Sequence, residues 1–214
     1  MARVYISSSW SNDFQPDLVR QLRERGHKVY DFRHPSGRDD NNVWDELGIN
    51  KQSVSGKVFD AAISDPAAES RFSEHFAAMQ DADTCILLLP CGRSSHVEAG
   101  FMAGRGKRVF VYDSSKIMVP ELMYLAFDNF FHGEEGLQSL FDAVAAPQYG
   151  VCRVCGCTEE NPCYHPEHGT CWWVDAEHTL CSHCATDLAE EGEYCIADDP
   201  LTEHCINDHG DAYK

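Results

Sequence analysis

Two groups of residues have the types and spacing to do chemistry. The first is Leu87-Leu88-Leu89-Pro90-Cys91-Gly92-Arg93-Ser94-Ser95-His96-Val97-Glu98-Ala99-Gly100, an apolar strand that passes through a polar turn into a helix bearing one carboxylate. Gly92 permits the turn, Ser94 and Ser95 supply hydroxyls, and the N–H groups that open the helix favour an anionic or polyhydroxylic ligand. Arg93 can add a bidentate contact to a phosphate or carboxylate. Glu98 has two readings. Ser95-x-x-Glu98 is a capping box, in which the glutamate reaches back to the cap backbone and does nothing else; alternatively, the carboxylate acts on a bound ligand.

The second group is Cys152-x-x-Cys155-x-Cys157, then Cys163, Cys171 and Cys181-x-x-Cys184. Two C-x-x-C pairs each present two thiolates to one tetrahedral ion, a spacing associated with structural zinc. The 25 residues between the pairs exceed the usual ribbon, and Cys157, Cys163 and Cys171 with His165, His168, His178 and His183 have the types for a second site. Disulfides and an iron-sulfur cluster are the competing readings. Few aliphatic residues accompany these cysteines, so metal binding would have to supply the folding free energy. Beyond Cys184, the acidic run Glu190 to Glu193 and the group Cys195, His204, Cys205 and His209 read as further ligands or a solvated tail.

The elements that must position these groups divide at about Pro147. Of 11 cysteines, nine lie in the last 64 residues, and only Cys85 and Cys91 precede them. Residues 1–150 carry 15 Lys+Arg against 21 Asp+Glu, and residues 151–214 carry 2 against 14. A chain of net charge −18 with no basic stripe is repelled by a phosphate backbone, which excludes nucleic acid polymers as partners. No stretch reaches membrane-span length and no signal peptide is visible, so the expected location is cytoplasmic, where clustered cysteines favour metal over disulfides.

Within residues 1–147, strands are expected at Arg3 to Ser7, Lys28 to Phe32, Thr84 to Leu89 and Arg108 to Tyr112. Helices are expected over Phe14, Leu18 and Leu22, from about Val43 to Asp65, from Glu69 to Ala82, from Ser95, from Pro120 to Phe127 and from Glu134 to Ala146. Gly100 and Gly104 should let the helix from Ser95 lie close on the sheet. The polar segment Arg33 to Asn42 reads as an active-site loop. This alternation predicts an α/β flavodoxin or Rossmann-like parallel sheet with helices on both faces, followed by a small metal-stapled domain over 148–214. In such a sheet Asp31, Phe32 and Arg33 end at the same edge as the Gly92 turn; Asp31 would hold a sugar hydroxyl, and Phe32 or Trp10 would stack on a base.

Three features together resemble the nucleoside 2-deoxyribosyltransferase family, which includes the deoxynucleoside 5'-monophosphate N-glycosidases. They are Val4-Tyr5-Ile6-Ser7-Ser8-Ser9-Trp10, Asp81-Ala82-Asp83 before an apolar strand, and Gly92 through Gly104 with Glu98. The likeness covers roughly residues 1–146. It implies cleavage or transfer at the N-glycosidic bond of a nucleoside or nucleotide, with Glu98 as nucleophile. Ligand contacts would come from Tyr5, Ser7 and Ser9 and from Gly92, Arg93, Ser94 and Ser95. The family's aspartate that assists protonation of the leaving base is replaced here by Ser73-Glu74-His75, which leaves Glu74 and His75 as alternatives. The resemblance also allows a homo-oligomer and calls for no organic cofactor. A Toll/interleukin-1-receptor-like NAD hydrolase is the competing enzyme reading. A non-catalytic nucleotide sensor with a zinc protein-interaction module is the reading from another class.

Overall fold

The structure is a computed structural model that describes residues 1–35, 42–51, 53–115 and 120–190. The chain divides into two compact units, Met1–Ala145 and Ala146–Lys214.

The first unit is built on five parallel strands: β1 (Arg3–Ser7), β2 (Lys28–Tyr30), β3 (Thr84–Leu89), β4 (Arg108–Asp113) and β5 (Asn129–His132). Their order is β2-β1-β3-β4-β5, the doubly wound order whose direction reverses between β1 and β3. Side chains alternate between two layers. Val4, Ile6, Ile86, Leu88, Phe110 and Tyr112 pack under α1 (Gln15–Glu24) and α6 (Gly133–Ala145). Tyr5, Cys85, Leu87, Val109 and Val111 face α4 (Pro66–Asp81) and α5 (Arg93–Gly104). The expected α/β class with helices on both faces is therefore observed.

Local sequence explains most of these elements. Pro16 sits in the first turn of α1, where its missing N–H costs nothing, and Leu18, Val19 and Leu22 form its buried face. Gly26, at φ +83, takes the left-handed conformation that ends it. Lys107 places its ammonium on the Met79 and Gln80 carbonyls (2.7 and 2.6 Å), where it satisfies the end of α4 and meets the negative pole of its dipole. Arg108 does the same for α6 through the Ala143 carbonyl at 3.1 Å.

Several boundaries differ from expectation. β2 stops at Tyr30, because the Asp31 side chain accepts the Arg33 N–H (3.1 Å) and turns the chain. The expected helix from Val43 to Asp65 resolves into α2 (Val43–Glu46), capped by Asn42, and α3 (Gly56–Ile63), capped by Ser55. Between them Gly48 takes φ +64, which a continuous helix cannot accommodate. Pro120 to Phe127 holds only a 3-10 turn, Leu122–Ala126. β5 was not expected: of its four residues Phe131 alone is buried, too little for a periodic signal. Residues 36–41, the middle of the expected active-site loop, lie outside the described residues. Among the described residues no helix is long and apolar enough to cross a membrane.

The second unit has a two-stranded antiparallel ribbon, β6 (Tyr164–His165) with β7 (Gly169–Thr170), and the helix α7 (Ser182–Glu190). Among the described residues its buried cluster is Cys152, Cys157, Leu180, Cys181, Cys184 and Ala185, with Trp173, Val174 and Leu188 partly buried against it. A core of thiols with so little hydrocarbon cannot offset chain entropy by burial alone. Cys195, His204, Cys205, His209 and the run from Glu191 to Glu193 lie outside the described residues.

Candidate functional site

The strand order reverses between β1 and β3, the point at which an open α/β sheet ordinarily takes its ligand, and Ser7, Ser95 and Glu98 meet at the carboxyl ends of these two strands. Ser7 ends β1 with its Oγ between the Ser95 carbonyl (3.1 Å) and a Glu98 carboxylate oxygen, to which it is tightly hydrogen-bonded. Ser95 Oγ returns a bond to the Ser8 carbonyl (3.1 Å), Ser8 Oγ donates to the Leu88 carbonyl (3.0 Å), and Asn12 Nδ2 donates to the Pro90 carbonyl (3.2 Å). These five contacts fasten the end of β1 and the loop after it to the β3–α5 turn and the first turns of α5.

The capping-box reading of Glu98 does not hold. α5 begins two residues earlier than expected, with Gly92 as its N-cap and no capping side chain, so Ser95 lies inside the helix. Ser95, Ala99 and Met102 form its buried face, whereas Gly100 and Gly104 are exposed. Glu98 instead accepts the Ser7 hydroxyl, and the Tyr5 hydroxyl beside it also favours the charged form. Burial pushes its carboxyl pKa up despite those two donors, and no ion pair reaches it among the described residues. Tyr5 in turn is held well above its ordinary value by burial and the Glu98 charge. Cys91, beside the same turn, is pushed up to about 11 by burial and so stays a thiol at neutral pH.

Tyr5 pairs with Tyr30 across β1 and β2, and their rings stack at 5.5 Å. Tyr30 meets the edge of His75 at 5.9 Å. Three rings thus run from Glu98 to α4. Burial, then Arg71, lowers the pKa of His75, so its ring is neutral at pH 7, and its Nε2 is buried without a hydrogen-bond partner. Glu74 precedes it on the same helix, half-buried. Tyr30 was missed from sequence; the signal lay in the register that sets it beside Tyr5.

The other expected ligand contacts are arranged differently. Burial raises the Asp31 pKa, but bonds from Gln15 (3.0 Å), His34 (2.9 Å) and the Arg33 N–H outweigh it and hold the carboxyl below the usual range. Arg33 directs one guanidinium nitrogen to the Ser9, Trp10 and Asn12 carbonyls, at 3.3, 2.8 and 2.8 Å. Arg33 therefore braces the loop between β1 and α1, whereas Asp31 ties the start of α1 to the turn after β2. Phe32 is buried and meets Trp10 edge to face at 5.1 Å. A cavity of about 370 Å³ opens beside Trp10 and is also lined by Asn42, Asp45 and Glu46; Glu98 does not line it. Ser9 bonds with Ser11 at 2.9 Å, and Gly92, Arg93 and Ser94 are exposed at the start of α5.

In the second unit two sulfur tetrads could each hold a metal ion: Cys152, Cys155, Cys181 and Cys184, and Cys155, Cys157, Cys163 and Cys181. Gly156, at φ +76, folds the first knuckle so that its N–H reaches the Cys152 carbonyl (2.8 Å). Asp175 accepts the Thr179 and Leu180 N–H groups (2.8 and 3.1 Å) and so shapes the turn that delivers Cys181. Cys171 lies 3.7 Å from Cys157 but belongs to neither tetrad.

Among solved structures, the chain is similar to a 2-deoxyribosyltransferase from Bacillus psychrosaccharolyticus. The match has 16% identity and a TM-score of 0.43, over 65% of this chain and 90% of that one. It is also similar to the CMP N-glycosidase of Clostridium botulinum, with 16% identity and a TM-score of 0.38, over 64% of this chain and 96% of that one. Both neighbours are enzymes of the N-glycosidic bond. No family model and no curated protein matches the chain.

Proposed function

We propose that the first unit cleaves or transfers at the N-glycosidic bond of a nucleoside or nucleoside 5'-monophosphate, with Glu98 as nucleophile. The observation that carries this reading is a half-buried carboxylate at the strand-order reversal that accepts the Ser7 hydroxyl, has the Tyr5 hydroxyl beside it and pairs with no cation among the described residues. A structural carboxylate at such depth is ordinarily neutralised by Arg or Lys. One left with neutral donors is preorganised to meet positive charge that develops only during reaction, as at the anomeric carbon of an oxocarbenium-like transition state.

Glu98 attacks the anomeric carbon as the bond to the base breaks, and the bonding pair leaves with the base nitrogen, which takes up a proton. Water or a second base then displaces the carboxylate. Glu74 is the candidate proton donor, and the unpartnered Nε2 of neutral His75 suits a hydrogen bond from the base. Tyr5 and Ser7 fix the carboxylate. Ser9, Arg93, Ser94 and the Gly92 turn would meet the sugar or 5'-phosphate, with Trp10 beside the base and Phe32 packed against Trp10, while Ser95 acts by fastening the Ser8 backbone. Arg33 acts through the loop it braces, and Asp31 through the start of α1 and the turn after β2. The cysteines of the second unit hold structural zinc and take no part in the chemistry.

The test is incubation of the full chain with nucleosides, nucleoside and deoxynucleoside monophosphates, and NAD in parallel, with free base read by chromatography. Base release from a nucleoside or its monophosphate, reduced at least about a thousandfold in Glu98→Gln, is expected. Release of nicotinamide from NAD alone would transfer the assignment to an NAD hydrolase. Binding without release from any of them would make the unit a nucleotide sensor.

A further inference from the structure

The two sulfur tetrads share Cys155 and Cys181. The sulfurs of this shared pair are 3.7 Å apart. A tetrahedral site with zinc–sulfur bonds of about 2.3 Å has sulfur–sulfur edges of roughly 3.8 Å, so one pair can serve as a common edge of two tetrahedra. A single four-thiolate site leaves Cys157 and Cys163 unexplained, yet Cys157 is buried and Cys163 lies 3.2 Å from Cys155. Neither tetrad contains a histidine, although four lie in this segment.

We propose that the second unit binds two zinc-class divalent ions in one binuclear thiolate cluster bridged by Cys155 and Cys181. Cys152 and Cys184 complete the first ion, and Cys157 and Cys163 the second. Cys171 accepts the Cys163 N–H at 3.2 Å and holds that ligand segment from outside the tetrads. Six thiols lose six protons as two ions bind, and no redox step is involved. Charge favours sharing: two ions on six thiolates carry a formal charge of about −2, against about −4 for two separate four-thiolate sites. Residues 151–214 already hold 14 acidic residues against 2 basic ones, so the smaller excess is the cheaper one to bury.

This inference rests on the zinc reading above and is separable from it by stoichiometry. Full-length protein purified under reducing conditions is loaded with zinc and weighed by native mass spectrometry, then exchanged into cadmium-113 for NMR. Two ions per chain and two cadmium resonances split by mutual coupling are expected, because only a bridging thiolate transmits that coupling. Cys171→Ala should still bind two ions. One ion per chain, or two uncoupled resonances, would overturn the shared cluster and leave structural zinc standing. Iron with acid-labile sulfide, or no metal at all, would overturn both.

Discussion

Glu98 sits where its charge is costly. Its pKa is raised in the folded protein from an ordinary value of 4.5, so between that value and the raised one the native state holds a proton that the unfolded chain has lost. Stability therefore falls as pH rises through that window. Glu98→Gln carries no such charge, and urea denaturation across that window should show the variant gaining on wild type towards neutrality; parallel curves would refute the account. Under the proposed function activity should move in the opposite sense, since a carboxylate nucleophile must be ionised: the acidic limb of kcat/KM should lie above the ordinary carboxylate range. Sequence supplied the candidate but misassigned its neighbour. Ser95-x-x-Glu98 is a local pattern for a cap, whereas the actual partner, Ser7, lies 91 residues away, beyond any local signal.

At the scale of elements, strand parity decides what reaches the site. Tyr5 and Cys85 face α5, while Val4, Ile6, Ile86 and Leu88 face α1 and α6. β3 was legible in full because an uninterrupted apolar run can be buried on both faces. β5 and the break between α2 and α3 were not, because their short segments are set by edge pairing and by one glycine. Leu88, fully buried, is a clean probe of this framework. Leu88→Ala should cost about 2–5 kcal/mol in urea denaturation. It should leave the pH of the acidic limb unchanged, since it lies on the face opposite Tyr5; a shifted limb would show that the two layers are not independent.

At the scale of the molecule, the units rest on different forces: one buries strands of Val, Leu and Ile, and the other gathers sulfur. The division of composition near Pro147 was plain in the sequence because hydrocarbon and cysteine fractions change together there. The grouping of seven cysteines was not, since spacing names ligands without saying which share an ion. A chelator should abolish the near-ultraviolet circular dichroism of Trp172 and Trp173, which lie within the cysteine segment, while base release persists. Loss of base release in step with the metal would assign the cysteines a part in the chemistry.

Arg33 gathers three carbonyls of the loop between β1 and α1, so the path of that backbone is set by a residue outside the loop. The wall that carries Ser9 and Trp10 can therefore vary in side chain at little cost to its shape. Under the proposed function, substrate choice can drift through these positions while the carboxylate stays fixed, and libraries at residues 9 and 10 should yield folded proteins with altered base preference far more often than libraries at position 33.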